Sequence, residues 1–189
     1  MIEQTDDPKS DLWRWNLLLT AQEGSARDLK RLVKRYGVFR WSGFRNVLLG
    51  QVADAQEFLR ELAVHLEEKP FAGSWLGRAL PILTTFAVHP EGLALEVQSH
   101  LADLVGELQN KSFHVRVERR GHKGQLHSHD LEIQLGTYLW EELERRGAHP
   151  IVSFRDPDTV IAIEIVGATA GIALISRALR TAFPFVKVD

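Results

Sequence analysis

Three histidines, His122, His127 and His129, fall within eight positions of the stretch VERRGHKGQLHSHDLEIQLG, residues 117–136, with Arg119, Arg120 and Lys123 beside them. Such a group could do one of three things. With Asp130 it offers imidazoles and a carboxylate, a ligand set that zinc accepts. The spacing argues against this, because metal ligands stand a helical turn apart or on a defined knuckle, and Gly121 and Gly124 leave the first half of the stretch loose. As acid–base pairs, His129 with Asp130 or Glu141 with Glu142 are poorly placed, since adjacent residues on a helix point apart. No G-x-S-x-G, Walker, G-x-G-x-x-G or H-E-x-x-H motif accompanies them. The third reading is an anion surface. Arg119, Arg120, His122 and Lys123 lead directly to a helix start at Ser128, where free amides suit an anion and guanidinium forks match phosphate oxygens. A solvated turn with ordinary surface charges is the competing reading, and the residues alone leave these two evenly matched.

The elements around the stretch would position it. SFHVRVER alternates, with Phe113, Val115 and Val117 facing one way and His114, Arg116 and Glu118 the other, as a half-buried strand does. Ser128 is the expected N-cap of the following helix, with Asp130 and Glu132 in its first turn where carboxylates suit the positive end of the dipole. That helix ends at Gly147. Leu131, Leu135, Tyr138, Leu139 and Leu143 form its core stripe, while Ile133 and Trp140 lie on the opposite face and are expected to be covered by a preceding helix over 91–109. IVSF and TVIAIEIVG read as strands around Asp156-Pro157-Asp158, and AGIALIS pairs back across Gly167 as a hairpin.

Upstream, residues 1–10 read as a disordered arm and WRWNLLLTA as a strand. Ser25 is the expected cap of ARDLKRLVKRYG, which closes on Gly37. Leu29, Leu32, Val33 and Tyr36 share one helical stripe. The opposite face is almost wholly basic: Arg27, Lys30, Arg31, Lys34 and Arg35. VFRWSGF and NVLLGQV are two short strands joined near Gly43. Asp54 caps AQEFLRELAVHLEEK, Pro70 and Gly73 break the chain, and RALPILTTFAV reads as one strand whose Pro81 places it near a sheet edge or at a bulge. The order β-α-β-β-α-β over 13–88 is that of a ferredoxin-like unit, and His89-Pro90 marks the expected boundary.

The bulk composition narrows the classes. The 189 residues are 44% hydrophobic and 25% charged, as in a soluble globular protein. There is no cysteine, which excludes a disulfide framework, a thiolate zinc site and a cysteine nucleophile, and is compatible with a reducing, cytoplasmic setting. MIEQTDDPKSD lacks the basic-then-apolar order of a secretory signal, and no apolar run reaches the length of a membrane span. A net charge of −2 gives no overall support for nucleic-acid binding, which then needs a local basic patch.

FHVRVERRGH, SHDLEIQLG and DPDTVIAIEIVG together resemble the THUMP domain of tRNA-modifying enzymes. The resemblance rests on Phe113, Val115, Val117, Arg119, Arg120, Gly121, Ser128, Asp130, Leu131, Glu132, Gly136, Pro157, Asp158 and Glu164; Asp156 stands where the family more often has Asn, a mild departure because both favour the turn. A ferredoxin-like domain ahead of THUMP is the usual arrangement in 4-thiouridine synthetases and stand-alone THUMP proteins. WLGRALPI, residues 75–82, is similar to a stretch of the THUMP adaptor of tRNA cytidine acetyltransferase, and FPFVKVD lies where that adaptor has its aromatic-basic tail.

The resemblance implies an α+β fold: an arm over 1–10, a ferredoxin-like domain over 11–90 and a THUMP α/β domain over 91–189. It implies a non-catalytic tRNA-binding adaptor that presents tRNA to a separate modification enzyme, an acetyltransferase first among candidates, with no cofactor, metal, DNA or membrane. The expected RNA-binding residues are Arg116, Arg119, Arg120, His122, Lys123, Ser128 and Arg155 in the second domain, and Arg78, Lys30 and Lys34 in the first. His127 and His129 become loop and helix-start residues. Two other classes stand beside this: a protein-interaction module without RNA binding, and a small enzyme using the histidine–carboxylate cluster.

Overall fold

The computed structural model describes residues 13–188; the arm expected over 1–10 lies outside them. The first unit runs β1 (Leu17–Ala21), α1 (Ala26–Val33), β2 (Gly37–Trp41), β3 (Val47–Val52), α2 (Ala55–Glu68) and β4 (Leu76–Pro81). Its sheet has the order β2-β3-β1-β4 with every neighbour antiparallel, the ferredoxin-like arrangement. The helix starts differ in kind. Asp54 caps α2 as expected, its carboxylate accepting from the amides of Gln56 and Glu57 at 2.7 and 3.0 Å. Ser25 makes no side-chain cap bond, and α1 stops at Val33, short of Gly37.

The second unit runs β5 (Thr84–Ala87), α3 (Leu93–Ala102), β6 (Ser112–Arg120), α4 (Ser128–Arg145), β7 (Ile151–Val152), β8 (Thr159–Val166), β9 (Thr169–Ser176) and α5 (Arg177–Ala182). Its sheet order is β5-β9-β8-β6-β7. The β8–β9 hairpin turns at Gly167 as expected, and β6 runs parallel to both β7 and β8. Leu131, Leu135, Leu139 and Leu143 of α4 close one core against Phe113, Val115 and Val117 of β6 and Ile161, Ile163 and Ile165 of β8.

The structure corrects several element expectations. The single strand expected over RALPILTTFAV is two: β4 belongs to the first sheet and β5 to the second, and the chain changes sheets at Ile82-Leu83, ahead of the boundary expected at His89-Pro90. The helix over 91–109 is broken, α3 being flanked by short 3-10 turns at Pro90–Gly92 and Val105–Leu108. It does not cover the outer face of α4, where Ile133 and Trp140 remain exposed. IVSF contributes only two residues to the sheet.

The two units are packed together. The face of β8 opposite α4 presents Val160, Ala162 and Val166 to the first unit's core, and β9 adds Ala173 and Ile175. Gly171 of β9 is required here, because a Cβ would lie 2.7 Å from the Trp15 ring. After α5 the chain returns to the first unit, where the Ala79 amide of β4 donates to the Phe185 carbonyl at 2.9 Å. Among the described residues no helix is long and apolar enough to cross a membrane.

Candidate nucleic-acid interface

Two of the expected contact residues lie in the seam between the units. Arg78 on β4 is only 4% exposed and its guanidinium donates to both oxygens of Glu164, at 3.0 and 3.2 Å. Arg120, at the end of β6, donates to the same carboxylate at 2.7 Å and to Glu118 at 3.2 Å. Burial pushes the Glu164 carboxyl up, against the opposing pull of the two guanidiniums. Buried charges of this kind persist only when paired, so Arg78 and Arg120 are structural groups and not part of an RNA-facing surface. Arg119 also turns back, donating to the Gly121 carbonyl, and its Nε is buried without a partner among the described residues. The rest of the Arg119 side chain is partly exposed.

The histidine loop is tied to the β8–β9 turn. Gly121 takes φ +103°, a conformation that only glycine adopts without strain, and lies against Gly167 and the Phe44 ring of the first unit. The His122 ring meets the Gly167 carbonyl at 2.7 Å and the Gln125 side chain at 3.3 Å. Lys123 is exposed. Ser128 is the first residue of α4 and not its cap; that place is taken by His127, which is extended and makes no side-chain cap bond. His129 lies 3.8 Å from Glu132. Among the described residues no three histidine or carboxylate side chains gather as a metal site would require.

Arg116 and Arg155 do come together. They line a cleft of about 430 Å3 with His114, Phe154, Pro157 and Arg180. His114, Arg116, Glu118 and Arg120 share one face of β6. Its Arg120 end lies in the seam, while Arg116 is 44% exposed, 3.6 Å from Glu132. The other wall is the turn between β7 and β8, which is firmly anchored. Asp158 accepts from the Ser112 amide and hydroxyl at 2.8 and 2.7 Å and from Arg177 at 2.6 Å. Those bonds, Ser112 foremost, hold its carboxyl below the ordinary carboxylate value. Asp156 takes Arg177 and Arg180. From this turn Phe154 projects 76% exposed and meets the His114 ring edge-on, centroids 4.9 Å apart. Burial, and then Arg116, hold the His114 imidazole below its ordinary value, so it is neutral at neutral pH. Arginines beside an exposed aromatic ring can bind phosphate and stack a base. His114 and Phe154 are not among the residues expected from the sequence. The signal that could find them is an aromatic next to an arginine in a turn.

In the first unit Lys34 is exposed, while the ammonium of Lys30 sits 5.0 Å over the Trp41 ring. Neither lines the cleft.

Residues 101–174 match the THUMP domain family. This part of the chain is a THUMP domain. It spans β6 to β9, the whole parallel core of the second sheet. No curated protein matches the chain by sequence. Solved structures match its fold. TrmN from Thermus thermophilus is 18% identical with a TM-score of 0.61, the match covering 86% of this chain and 45% of that one. PH1313 from Pyrococcus horikoshii Ot3 is 14% identical with a TM-score of 0.58, covering 86% and 54%. A 4-thiouridine synthetase in complex with RNA and bound ATP is 16% identical with a TM-score of 0.52, covering 85% and 41%. The chain thus spans about half the length of these proteins or less. Because the matches cover most of it, the fold shared with these structures takes in both units.

Proposed function

We propose that this chain binds tRNA through its THUMP domain and presents it to a modification enzyme. The observation that carries this is the cleft that Arg116 and Arg155 line with the exposed Phe154 and the half-buried His114 ring against it, on a domain of a family that resemblance ties to tRNA modification. The fold shared with a 4-thiouridine synthetase captured with RNA supports the same reading. In this reading the described residues bind and orient, in a cytoplasmic setting, and another catalytic unit supplies the reaction. A tRNA cytidine acetyltransferase is the first candidate, on the similarity of residues 75–82 to its adaptor.

Filter binding of tRNA at low and moderate salt tests this. Every phosphate that the protein no longer neutralises makes the slope of log affinity against log salt shallower by about 0.9. Arg116→Ala/Arg155→Ala should bind more weakly, with a slope shallower by about 2 and an unchanged melting temperature. A parent chain that does not bind tRNA, or a double variant that binds like the parent at both salts, overturns the reading.

A further inference from the structure

A second aromatic surface lies in the first unit and shares no residue with the THUMP cleft. The 3-10 turn Pro70–Trp75 follows α2 and packs against α1. Its Phe71 ring is 76% exposed and meets Trp75 edge-on, centroids 5.7 Å apart. The two rings border a pocket of about 620 Å3, with an apolar floor from Leu32 and Ala72.

The rim is cationic: Arg31, Lys34, Arg35 and Lys69 all line it. Asp28 is the single carboxylate of the lining and is already held by Arg31 at 3.3 Å. Arg35 is directed inward, 2.9 Å from Nδ1 of His65, whose imidazole burial keeps below its ordinary value and so uncharged. Lys34 and Lys69 have no ion-pair partner among the described residues. An apolar floor with an exposed ring and a rim of net positive charge is the complement of a nucleotide: a flat base to stack, a phosphate to neutralise. A chain of net charge −2 concentrates positive charge here against its own overall balance.

We infer that this pocket takes one unpaired nucleotide of a bound RNA, its base stacked on Phe71 and its phosphates facing Lys34 and Lys69. The inference rests on the tRNA-binding reading and adds a second point of contact that recognises single-stranded RNA.

The test uses the full chain with a short cytidylate oligonucleotide and a duplex of the same length. The parent should prefer the single strand. Phe71→Ala, at an exposed position, should weaken oligonucleotide binding roughly tenfold, the loss of one base–aromatic stack, while Phe71→Trp retains it. Lys34→Ala/Lys69→Ala should flatten the salt slope by about 1.4, the value for two phosphates on a single strand. If Phe71→Ala binds the oligonucleotide as the parent does, the proposal is overturned and a protein segment becomes the better occupant. If tRNA still responds to Arg116→Ala/Arg155→Ala in that case, the reading of the THUMP cleft survives alone. If neither RNA binds, both fall together.

Discussion

Arg78 of β4 and Glu164 of β8 meet at 3.0 Å although they belong to different sheets, and each is almost fully buried. Arg120 completes the group from β6. Glu118 is the second carboxylate of Arg120, so two guanidiniums face two carboxylates, and this pairing is what permits Arg78 and Glu164 to be buried there.

Removing the carboxylate should therefore be costly. Glu164→Ala would leave Arg78 buried and unpaired and strip Arg120 of its shorter bond, a loss of about 3–5 kcal/mol, which for a protein of this size lowers the melting temperature by on the order of 10 °C. Arg78→Ala and Arg120→Ala should act in the same direction. Thermal unfolding checks it, and a Glu164→Ala chain melting within about 2 °C of the parent would contradict the role assigned to the seam. It follows that Arg120→Ala reports on folding and not on RNA contact.

Asp158 carries a pH signature. The Ser112 bonds lower its carboxyl from the ordinary 3.8 in the folded state, and the Glu57 and Gln56 amides do the same for Asp54. A carboxyl depressed by folding stabilises the fold above its unfolded value, and that contribution is lost as pH falls through the folded one. Asp158→Asn should melt below the parent at about pH 7, with the gap narrowing toward about pH 3. A gap that is constant across that range would remove Asp158 from the acid dependence.

His114 should make tRNA binding sensitive to pH from the opposite side. Its ring is held below the ordinary 6.5, so it takes up a proton only as pH falls beneath that value, and a cation in the cleft favours the RNA. At constant ionic strength, affinity should rise from about pH 7.5 to about pH 5.5, and His114→Gln should flatten the rise. Should the variant show the parent's full pH response, the titrating group lies elsewhere.

Much of the fold is legible in the residues themselves. The Asp54 cap, the turn at Gly167 and the alternation of β6 are local features, and local physics suffices to read them. The change of sheets at Ile82-Leu83 is not local: both flanking strands are apolar, and nothing in an apolar run says which sheet each half will join. The site is legible in part. Arg116 and Arg155 lie in one cleft because β6 and the anchored 156–158 turn converge, while Arg78 and Arg120 look solvent-bound in the sequence because their partner Glu164 is distant in the chain. Phe154 reads in the sequence as one residue of a short strand, yet the strand ends before it.

β8 is buried along its whole length, its alternate residues divided between the two cores. Neither core can be dismantled without stripping one side of this strand, so the ferredoxin-like unit and the THUMP domain should unfold in a single transition. The amides of β8 would then be among the slowest to exchange with deuterium, opening only with the whole chain. A THUMP domain cut free of its neighbour would expose Val160, Ala162, Val166, Ala173 and Ile175 to water, an adhesive strip on an otherwise intact sheet.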